Sequence, residues 1–447
     1  MKNFTFCGGF SMCRSMFVVA FAGISLAASA QTMQVLNSIT DADGTTYSLM
    51  SQAISPNHKY VAGRAMNYEE MKYGVFVYDV EAGNYYFQGD VDMMGSDLRA
   101  VTDAGIAVGY NGSPETLSID GTSTPLSLPE GYMARPQGVG ADANVIVGSY
   151  YSEMDFISHA CVWRDGELEQ LPEPGAEEAG IEVTGSEAYY TSADGSVIAG
   201  TLLDVYGMGV FVLWNQQSDG TYVCDLVYKD YFSADGSDTE RPYNYFMPAG
   251  LSQNGKYAAL KVGIPELEQR MARYDIETGE LEVYVADGSG DIPESASIES
   301  SGISDNGTVI GNCFTGMVQM QTINPCIWKN GEDAPQLISK MCPDLTDFVA
   351  FDDMGGNFIL GITPDGRYLT GYAYDTGKGG SGLVFDYTSY VVDLEDLATG
   401  IKSAVTSTAD GDGIEYYTID GVRVNTPAKG LNIVRKADGS TVKVVIK

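Results

Sequence analysis

The sequence has few histidines, and this scarcity narrows the chemistry open to the protein. Among 447 residues only His58 and His159 occur, and neither has a second histidine at the spacing of a zinc site. A Ser-His-Asp triad would need one of these two residues, and no G-x-S-x-G elbow is present. The sequence also lacks a P-loop and a dinucleotide fingerprint. We therefore expect no bound metal and no cofactor.

Positive charge is also scarce. The chain has 25 Lys and Arg against 60 Asp and Glu, which gives a net charge of −35. Residues 1–30 carry Lys2 and Arg14 and no acid, so a chain that starts at Gln31 has a charge of −37. Such a chain repels DNA, RNA and anionic lipid, which excludes nucleic acid as a partner. Solubility is the simpler interpretation of this acidity, and a cationic partner is the alternative.

Long apolar runs are missing after the N-terminus, which predicts no transmembrane helix. The first thirty residues have the pattern of a secretory signal, with a basic start at Lys2 and Arg14 and an apolar stretch from Met16 to Ala27. Ala28-Ser29-Ala30 is a small-residue cleavage site. The sequence therefore predicts a signal peptide over residues 1–30, cleavage near Ala30, and a secreted or cell-surface protein.

The cysteine count excludes a complete disulfide framework. Cys7 and Cys13 lie in the predicted signal peptide, so five cysteines remain, which is an odd number. Cys313 and Cys326 flank one hairpin, and whether they pair stays open because the sequence does not give the geometry.

The sequence does contain a repeated turn. A small residue is followed by a short polar turn, often Asn-Gly or Asp-Gly, and then by an apolar strand that usually ends in glycine. Successive copies are 38 to 60 residues apart, and two depart at the turn glycine, with His58 in the first and Ala143 in the third. The seven copies are Ala53–Gly63, Ala100–Gly109, Gly138–Gly148, Tyr190–Gly200, Gly250–Leu260, Gly302–Gly311 and Gly361–Gly371.

A second apolar strand follows each turn and supports the same register. It ends in a large residue: Tyr78, Ile119, Trp163, Trp214, Tyr274, Trp328 and Phe385. Two positions earlier, on the same face of the strand, stand Phe76, Leu117, Cys161, Val212, Ala272, Cys326 and Leu383. This pair of positions predicts a buried face in every copy. The three tryptophans are therefore predicted to be core residues, and Cys161 and Cys326 to be buried thiols.

These repeats predict an all-β fold. A four-stranded unit cannot cover both of its own faces, whereas radial packing of such units covers them. We predict a seven-bladed β-propeller over residues 31–398, closed by pairing of Met33–Ile39 with strands near Tyr390–Leu394. A linker of small polar residues follows at 399–413, and then a small β-module at 414–447. Its predicted strands are Glu415–Ile419, Val422–Val424, Gly430–Arg435 and Thr441–Ile446.

Two resemblances to known groups follow from these residues. The S-x-[DN]-G turn with its following strand resembles the extracellular bacterial propeller repeats of the HAF type. Thr363–Tyr368 is similar to the SPDG-type repeat of TolB-like propellers. The tail, with Tyr417–Val424, Lys429–Val434 and Lys443–Lys447, resembles the C-terminal sorting domain of type IX secretion cargo. That resemblance implies a partner in the export machinery, although Asn432 stands where the pattern usually has an aromatic residue.

The most distinctive non-repeat stretch is an insertion between the fourth and fifth copies. It places Tyr231, Arg241, Tyr243 and Tyr245 close together in sequence. Exposed Tyr beside Arg is typical of recognition surfaces, so these four residues are the candidate binding residues. The alternative is that the rings cover the edge of a neighbouring blade.

The sequence leaves the function open between two main classes, with a structural scaffold for an envelope complex as a third. The favoured hypothesis is a non-enzymatic, monomeric propeller that binds a protein or a glycan. The other is a secreted carbohydrate-active enzyme, a hydrolase or lyase, that uses Asp or Glu with Tyr at the propeller centre. Convergent acidic, arginine and tyrosine side chains around an axial pocket would favour the second.

Overall fold

The computed structural model describes residues 33–89, 96–264, 269–288, 292–316, 322–342, 345, 356–375 and 386–394, and the strands between 415 and 446. Contacts divide the chain into two parts. One is Thr32–Gly400, and the other combines Met1–Gln31 with Ile401–Lys447. The predicted signal peptide, the predicted linker at 399–413, and the positions Leu383 and Phe385 lie outside the described residues.

The larger part is built from strands that repeat in groups. A lone strand β1 (Met33–Val35) comes first, and seven groups follow along the chain. Repeat 1 has β2 (Ile39–Thr40), β3 (Thr46–Ile54), β4 (Tyr60–Asn67), β5 (Lys72–Asp79) and β6 (Tyr85–Gly89). Repeat 2 has β7 (Asp97–Val101), β8 (Ile106–Tyr110), β9 (Pro114–Ser118) and β10 (Ser123–Pro125). Repeat 3 has β11 (Tyr132–Val139), β12 (Val145–Ser152), β13 (Ser158–Arg164) and β14 (Glu167–Gln170).

The later groups have the same plan. Repeat 4 has β15 (Gly185–Thr191), β16 (Val197–Leu203), β17 (Gly209–Gln216) and β18 (Tyr222–Asp225). Repeat 5 has β19 (Tyr245–Leu251), β20 (Tyr257–Gly263), β21 (Arg270–Asp275) and β22 (Glu280–Val283). Repeat 6 has β23 (Ser297–Ile303), β24 (Val309–Thr315), β25 (Thr322–Trp328) and β26 (Gln336–Leu337). Repeat 7 has β27 (Gly356–Ile362), β28 (Tyr368–Asp375) and β29 (Asp386–Asp393).

Within each repeat the strands pair antiparallel in chain order. In repeat 1, the two-residue strand β2 is left out of the count and β3 is called the first strand. The first strand of each repeat contacts the first strands of the repeats before and after it, and β27 of repeat 7 contacts β3 of repeat 1. Sheets that meet along their first strands in this way are arranged as in a β-propeller. The predicted all-β class is confirmed, because helix among the described residues is limited to α1 (Ala176–Ala179), α2 (Ile338–Met341), a 3-10 turn at Val227–Asp230, and the single helical residues Leu345 and Leu394.

The two ends of the larger part are joined by strand pairing. β1 pairs antiparallel with β29, and Met33 lies opposite Val392 and Val35 opposite Tyr390. The backbone N–H of Leu36 donates to the carbonyl of Ser389 at 2.9 Å. The predicted pairing of Met33–Ile39 with the strand near Tyr390–Leu394 is therefore confirmed for Met33 to Leu36, whereas Ile39 pairs with Tyr47 of β3. Chain closure of this kind covers an edge that would otherwise be unpaired.

The repeated motif forms the turn between the first and second strands. In six copies its small polar residue is buried, and its hydroxyl accepts or donates hydrogen bonds inside the turn, as Ser55 does with the N–H of Tyr60 at 2.9 Å. One residue of each turn has a positive φ. This residue is glycine in five repeats, but it is His58 (φ 55°) in repeat 1 and Ala143 (φ 63°) in repeat 3. The His58 ring stacks on Tyr368 at 3.7 Å, which accounts for a bulky residue there.

The core lies between neighbouring sheets. Trp163 and Trp214 are fully buried, Trp328 is 5% exposed, and each indole N–H donates to a backbone carbonyl at 2.7–2.9 Å. The prediction that the tryptophans are core residues is confirmed. The partner positions Phe76, Leu117, Cys161, Val212, Ala272 and Cys326 are completely buried. Apolar burial of this kind stabilises the fold by about 1.5–3 kcal/mol for each large side chain.

The smaller part contains four strands of one sheet, in the order β31-β30-β32-β33. They are β30 (Glu415–Thr418), β31 (Arg423–Val424), β32 (Gly430–Arg435) and β33 (Thr441–Ile446). None of the described helices is long and apolar enough to cross a membrane. All five cysteines after the predicted signal peptide, Cys313 and Cys326 among them, are free thiols in the structure.

Candidate functional site

The first strand of every repeat contains a β-bulge at the same place. In each first strand, one residue has no partner on the second strand. This residue lies three positions before the small residue that begins the turn. A bulge leaves its extra residue unpaired and re-aims the side chain. The seven bulge residues are Gln52, Arg99, Gln137, Tyr189, Ala249, Ser301 and Leu360.

The bulge explains the glycine that closes the sequence motif. A Cβ at Gly109 would lie 1.9 Å from the carbonyl oxygen of Asp97, and one at Gly200 would lie 2.1 Å from that of Glu187. Real Cβ atoms do not approach a backbone oxygen closer than 3.0 Å. On the first strand, the carbonyl group two residues before the bulge residue comes this close to the second strand. The second strand therefore needs glycine at that point. Leu260 takes this place in repeat 5.

All seven bulge residues line one cavity of about 560 Å³. The residues two positions earlier are called the second layer here, and all except Met50 line the cavity or the recess beside it: Met50, Asp97, Arg135, Glu187, Met247, Glu299 and Phe358. Their cross-strand partners are called the third layer, and all except Ser149 and Thr201 line the same spaces: Arg64, Tyr110, Ser149, Thr201, Lys261, Asn312 and Tyr372. A recess of about 140 Å³ shares Arg99, Arg135 and Gln137 with the cavity, and adds Arg64, Asp97 and Tyr110.

The wall of the cavity is chemically uneven. Repeats 1 to 3 contribute Arg64, Arg99 and Arg135, whereas repeats 4 and 6 contribute Glu187 and Glu299. Repeat 7 contributes Phe358, Leu360 and Tyr372, and Phe314 of repeat 6 adds a further ring. Three tyrosines, Tyr189, Tyr190 and Tyr245, complete the lining. The cavity thus has a guanidinium side, a carboxylate side and an aromatic side.

Most of the carboxylates in the cavity already have partners. The Tyr189 hydroxyl donates to Glu187, whose other oxygen accepts from Ser158 at 3.3 Å. The Lys261 ammonium lies 2.7 Å from Glu299. Arg99 Nε lies 2.6 Å from Asp97 Oδ2, but Asp97 Oδ1 is buried and has no hydrogen-bond partner within the described residues.

Burial perturbs the acids and phenols of this site. It raises the pKa of Asp97 against the opposing charges of Arg99 and Arg64. Burial, together with the nearby Glu187, raises the pKa of Tyr189, and burial with Glu299 raises that of Tyr245. These hydroxyls stay protonated near neutral pH, so they act as hydrogen-bond donors.

The four candidate binding residues of the insertion do not form one site. Tyr231 and Tyr243 lie together, with the N–H of Tyr243 donating to the carbonyl of Tyr231 at 3.3 Å. Both pack against the apolar cluster around Phe246, and the Tyr243 and Phe246 rings are stacked at 6.5 Å. Arg241 is exposed and pairs with Asp238 at 3.0 Å. Tyr245 alone among the four lines the cavity.

Apart from Tyr245, the sequence reasoning missed the residues that line the cavity, although a positional signal exists. Each bulge residue lies three positions before the turn residue that defines the repeat, and each second-layer residue lies five before it. No shared residue type marks these places, so the bulge had to be known first. Within the described residues, no three His, Cys, Asp or Glu side chains are grouped to hold a metal ion.

Comparison with known proteins gives limited information. No protein-family model matches the chain, and no curated protein matches it in sequence. Among solved structures, TolB from Acinetobacter baumannii is similar at 15% identity over 67% of this chain and 58% of that chain, with a TM-score of 0.35. The β-propeller domain of the Trilobed protease from Pyrococcus furiosus is similar at 10% identity, over 78% of this chain and 98% of the domain, with a TM-score of 0.46.

An oligogalacturonate lyase from Vibrio parahaemolyticus is similar at 11% identity, over 82% of this chain and 98% of the lyase, with a TM-score of 0.48. Identities and scores this low carry no argument about activity. The propeller assignment rests on the strand pairing and strand contacts of this chain itself.

Proposed function

We propose that the protein is an exported seven-bladed β-propeller that binds a glycan in its axial cavity without processing it. One observation carries this proposal: the bulge residues of all seven first strands line the same cavity. Support for a ring of seven blades comes from the contacts between successive first strands, including those of β27 with β3, and from the pairing of β1 with β29.

The size and lining of the cavity favour a glycan over a protein ligand. Small-molecule sites usually measure about 300–1,000 Å³, and this cavity has about 560 Å³. A stable protein partner needs about 800 Å² of surface on each side, which the walls of such a cavity do not offer. Tyrosine rings next to amide, guanidinium and carboxylate groups provide both the flat apolar surface and the hydrogen bonds that a sugar ring requires.

The test is a glycan-array screen of the chain from Gln31, followed by calorimetry on the best ligand. Gln137→Trp places a large ring at a bulge position inside the cavity, and we expect it to reduce binding by about tenfold or more. Tyr245→Ala removes a lining ring and should also weaken binding. Arg241→Ala is the matched control, because this exposed insertion residue lies outside the cavity and should bind like the parent.

Two results would contradict this proposal. One is a chain that captures no glycan on the array. The other is binding that survives Gln137→Trp but is lost in Arg241→Ala, since that pattern would place the ligand on the insertion as the sequence hypothesis had it.

A second candidate function is a carbohydrate-active enzyme, and the cavity gives it a specific basis. Glu187 and Glu299 line the cavity with Tyr189 and Tyr245, and Asp97 lines the adjoining recess with three arginines. This is the convergence of acidic, arginine and tyrosine side chains that the sequence analysis gave as favouring an enzyme. Two of these carboxylates are held by Tyr189 and Lys261, and a phenol with a raised pKa is a poor base at neutral pH. We therefore favour binding. New reducing ends or unsaturated products from the bound glycan, lost in Glu187→Gln, would favour the enzyme.

The export route is a separate part of the proposal. Residues 1–30 have the pattern of a signal peptide, and residues 414–447 resemble a type IX sorting domain. A chain that lacks 414–447 should then cross the inner membrane but fail to reach the cell surface, whereas the full chain should reach it. Surface labelling of cells that express the two chains measures the difference, and equal labelling would contradict the sorting role.

A further inference from the structure

We propose that Arg64, Arg99 and Arg135 form an anion subsite in the small recess of the cavity, so that the glycan bound there is an acidic saccharide. This inference rests on the proposed glycan-binding function and names the class of ligand. It starts from an anomaly in charge. The chain carries a net charge of −35, with 25 Lys and Arg residues in all, yet three arginines meet in one recess of about 140 Å³.

The three guanidinium groups come from separate repeats. Arg64 lies on β4 of repeat 1, Arg99 is the bulge residue of repeat 2, and Arg135 lies in the second layer of repeat 3. They therefore converge because of the propeller geometry and not because of their place in the sequence. Arg99 and Arg135 also line the large cavity, so the recess opens into the space that would hold sugar rings.

The positive charge in the recess is only partly compensated. Asp97 pairs with Arg99 at 2.6 Å. Within the described residues, Arg64 and Arg135 form no ion pair and no side-chain hydrogen bond. Burial raises the pKa values of Asp97 and Tyr372, and the nearby positive charge of Arg64 opposes this rise in both. Three cations against one carboxylate leave an excess of positive charge, which a bound anion would balance.

The donors suit an anion with a planar or tetrahedral set of oxygens. Guanidinium presents its N–H groups as a rigid fork that matches carboxylate, sulfate or phosphate in a bidentate manner. Gln137 and Tyr110 line the same recess and add neutral donors. Carboxylate saccharides and sulfated saccharides share this chemistry, so the experiment has to separate the two.

The experiment is calorimetry on the full chain from Gln31 with four probes of defined chemistry. They are a uronic acid trisaccharide, its carboxyl-reduced neutral counterpart, a sulfated neutral trisaccharide and inorganic sulfate. We expect an acidic trisaccharide to bind at least about tenfold more tightly than the neutral one, because hydrogen bonds between charged groups are stronger than those between neutral groups. Arg135→Ala and Arg64→Gln should each weaken binding of the acidic probe more than binding of the neutral probe, so that the preference is lost.

Two further variants make the test specific. Arg135→Lys keeps the charge but not the fork, so it should restore part of the preference. Arg241→Ala removes an exposed arginine outside the cavity and should change nothing. Without ligand, Arg135→Ala should melt at the same temperature as the parent or higher, because the variant relieves repulsion among the guanidinium groups. A purely structural role for Arg135 would lower the melting temperature instead.

The outcomes separate this inference from the proposed function. Preference for the uronic acid or for the sulfated probe, lost in the arginine variants, supports the subsite and identifies the anion. Equal affinity for acidic and neutral probes, both abolished by Gln137→Trp, overturns the subsite and leaves glycan binding intact. Arginine-dependent binding of inorganic sulfate alone supports the subsite and overturns glycan binding. Absence of binding by all four probes overturns both.

Discussion

The closing glycine of the repeat motif allows the sharpest test of the structure. In Gly109→Ala the new Cβ would lie 1.9 Å from the carbonyl oxygen of Asp97 and 2.9 Å from its carbonyl carbon. Both neighbours are backbone, so no side chain can turn away. The two strands must separate by about 1.1 Å to reach the 3.0 Å limit of real contacts. Overpacking of this kind costs about 1–3 kcal/mol, and occasionally more.

This cost translates into a measurable shift. For a part that spans Thr32–Gly400, unfolding entropy of about 2.1 cal/mol/K per residue makes a 3 kcal/mol loss equivalent to a fall in Tm of about 4 °C. Differential scanning calorimetry of the chain from Gln31 measures it. The strain also displaces Asp97 and the adjacent bulge residue Arg99, so binding of the acidic trisaccharide should weaken in the same variant.

A matched substitution controls for the loss of glycine itself. Gly175 has a φ of −67°, and a Cβ there would meet nothing within 4 Å. Gly175→Ala therefore changes the same atoms without a clash, and we expect its Tm to stay within about 1 °C of the parent. A Gly109→Ala variant that melts like Gly175→Ala would refute the close approach of the two strands and, with it, the bulge geometry of the cavity.

Three further predictions follow from single residues. Ala143→Gly should stabilise the chain by about 1 kcal/mol, because Ala143 has a φ of 63° that glycine adopts without strain; an unchanged or lower urea midpoint would contradict this. Burial raises the pKa of Cys224 to about 12 and that of Cys313 to about 11. Dithiobis(nitrobenzoate) should therefore label the thiols of the folded chain only slowly at pH 8. In urea it should rapidly label five thiols of the unfolded chain, or seven if the signal peptide is retained. Burial also raises the pKa of Tyr228 and Tyr274 from 10.0 to about 12. Because the folded state keeps these protons to a higher pH than the unfolded state does, the stability that they contribute is complete below pH 10 and is lost towards pH 12. Tyr274→Phe should therefore reduce the loss of stability that urea unfolding measures at high pH.

Much of the fold could be predicted because its determinants are local. The turn residues Ser55, Ser192 and Ser304 are buried in their turns, as a repeated motif of small polar residues and glycine indicates. Trp163 and Trp214 share a face of the third strand with Cys161 and Val212, two positions earlier, and this repeated apolar pair allowed both tryptophans to be assigned to the core. Even the pairing of β1 with β29 followed from the need to close the ring.

The candidate site could not be predicted in the same way, because a bulge breaks that period. One extra residue in a strand sends the next side chains to the opposite face. In β7, a strict alternation from Val101 would place Arg99 with the core residues, whereas the bulge turns it into the cavity. The insertion attracted attention through its composition, but Tyr231 and Tyr243 largely pack against the core.

Two positions of each repeat differ in how far they are restricted: the glycine of the second strand and the bulge residue of the first strand. This difference explains why the cavity lining changes from repeat to repeat while the strand arrangement stays the same. Six repeats have glycine where the second strand passes the bulge, because there the backbone itself fills the space. The bulge residues have no common residue type and range from Arg99 to Leu360, because each lines the cavity where the backbone of the repeat does not restrict the size of the side chain. In repeat 5, Leu260 takes the place of glycine with its side chain fully buried in the adjacent core cluster, and the bulge residue is the small Ala249. Where the glycine is kept, the residue at the bulge is free to differ from repeat to repeat, so the lining of the cavity is set by residues that the repeat pattern does not constrain.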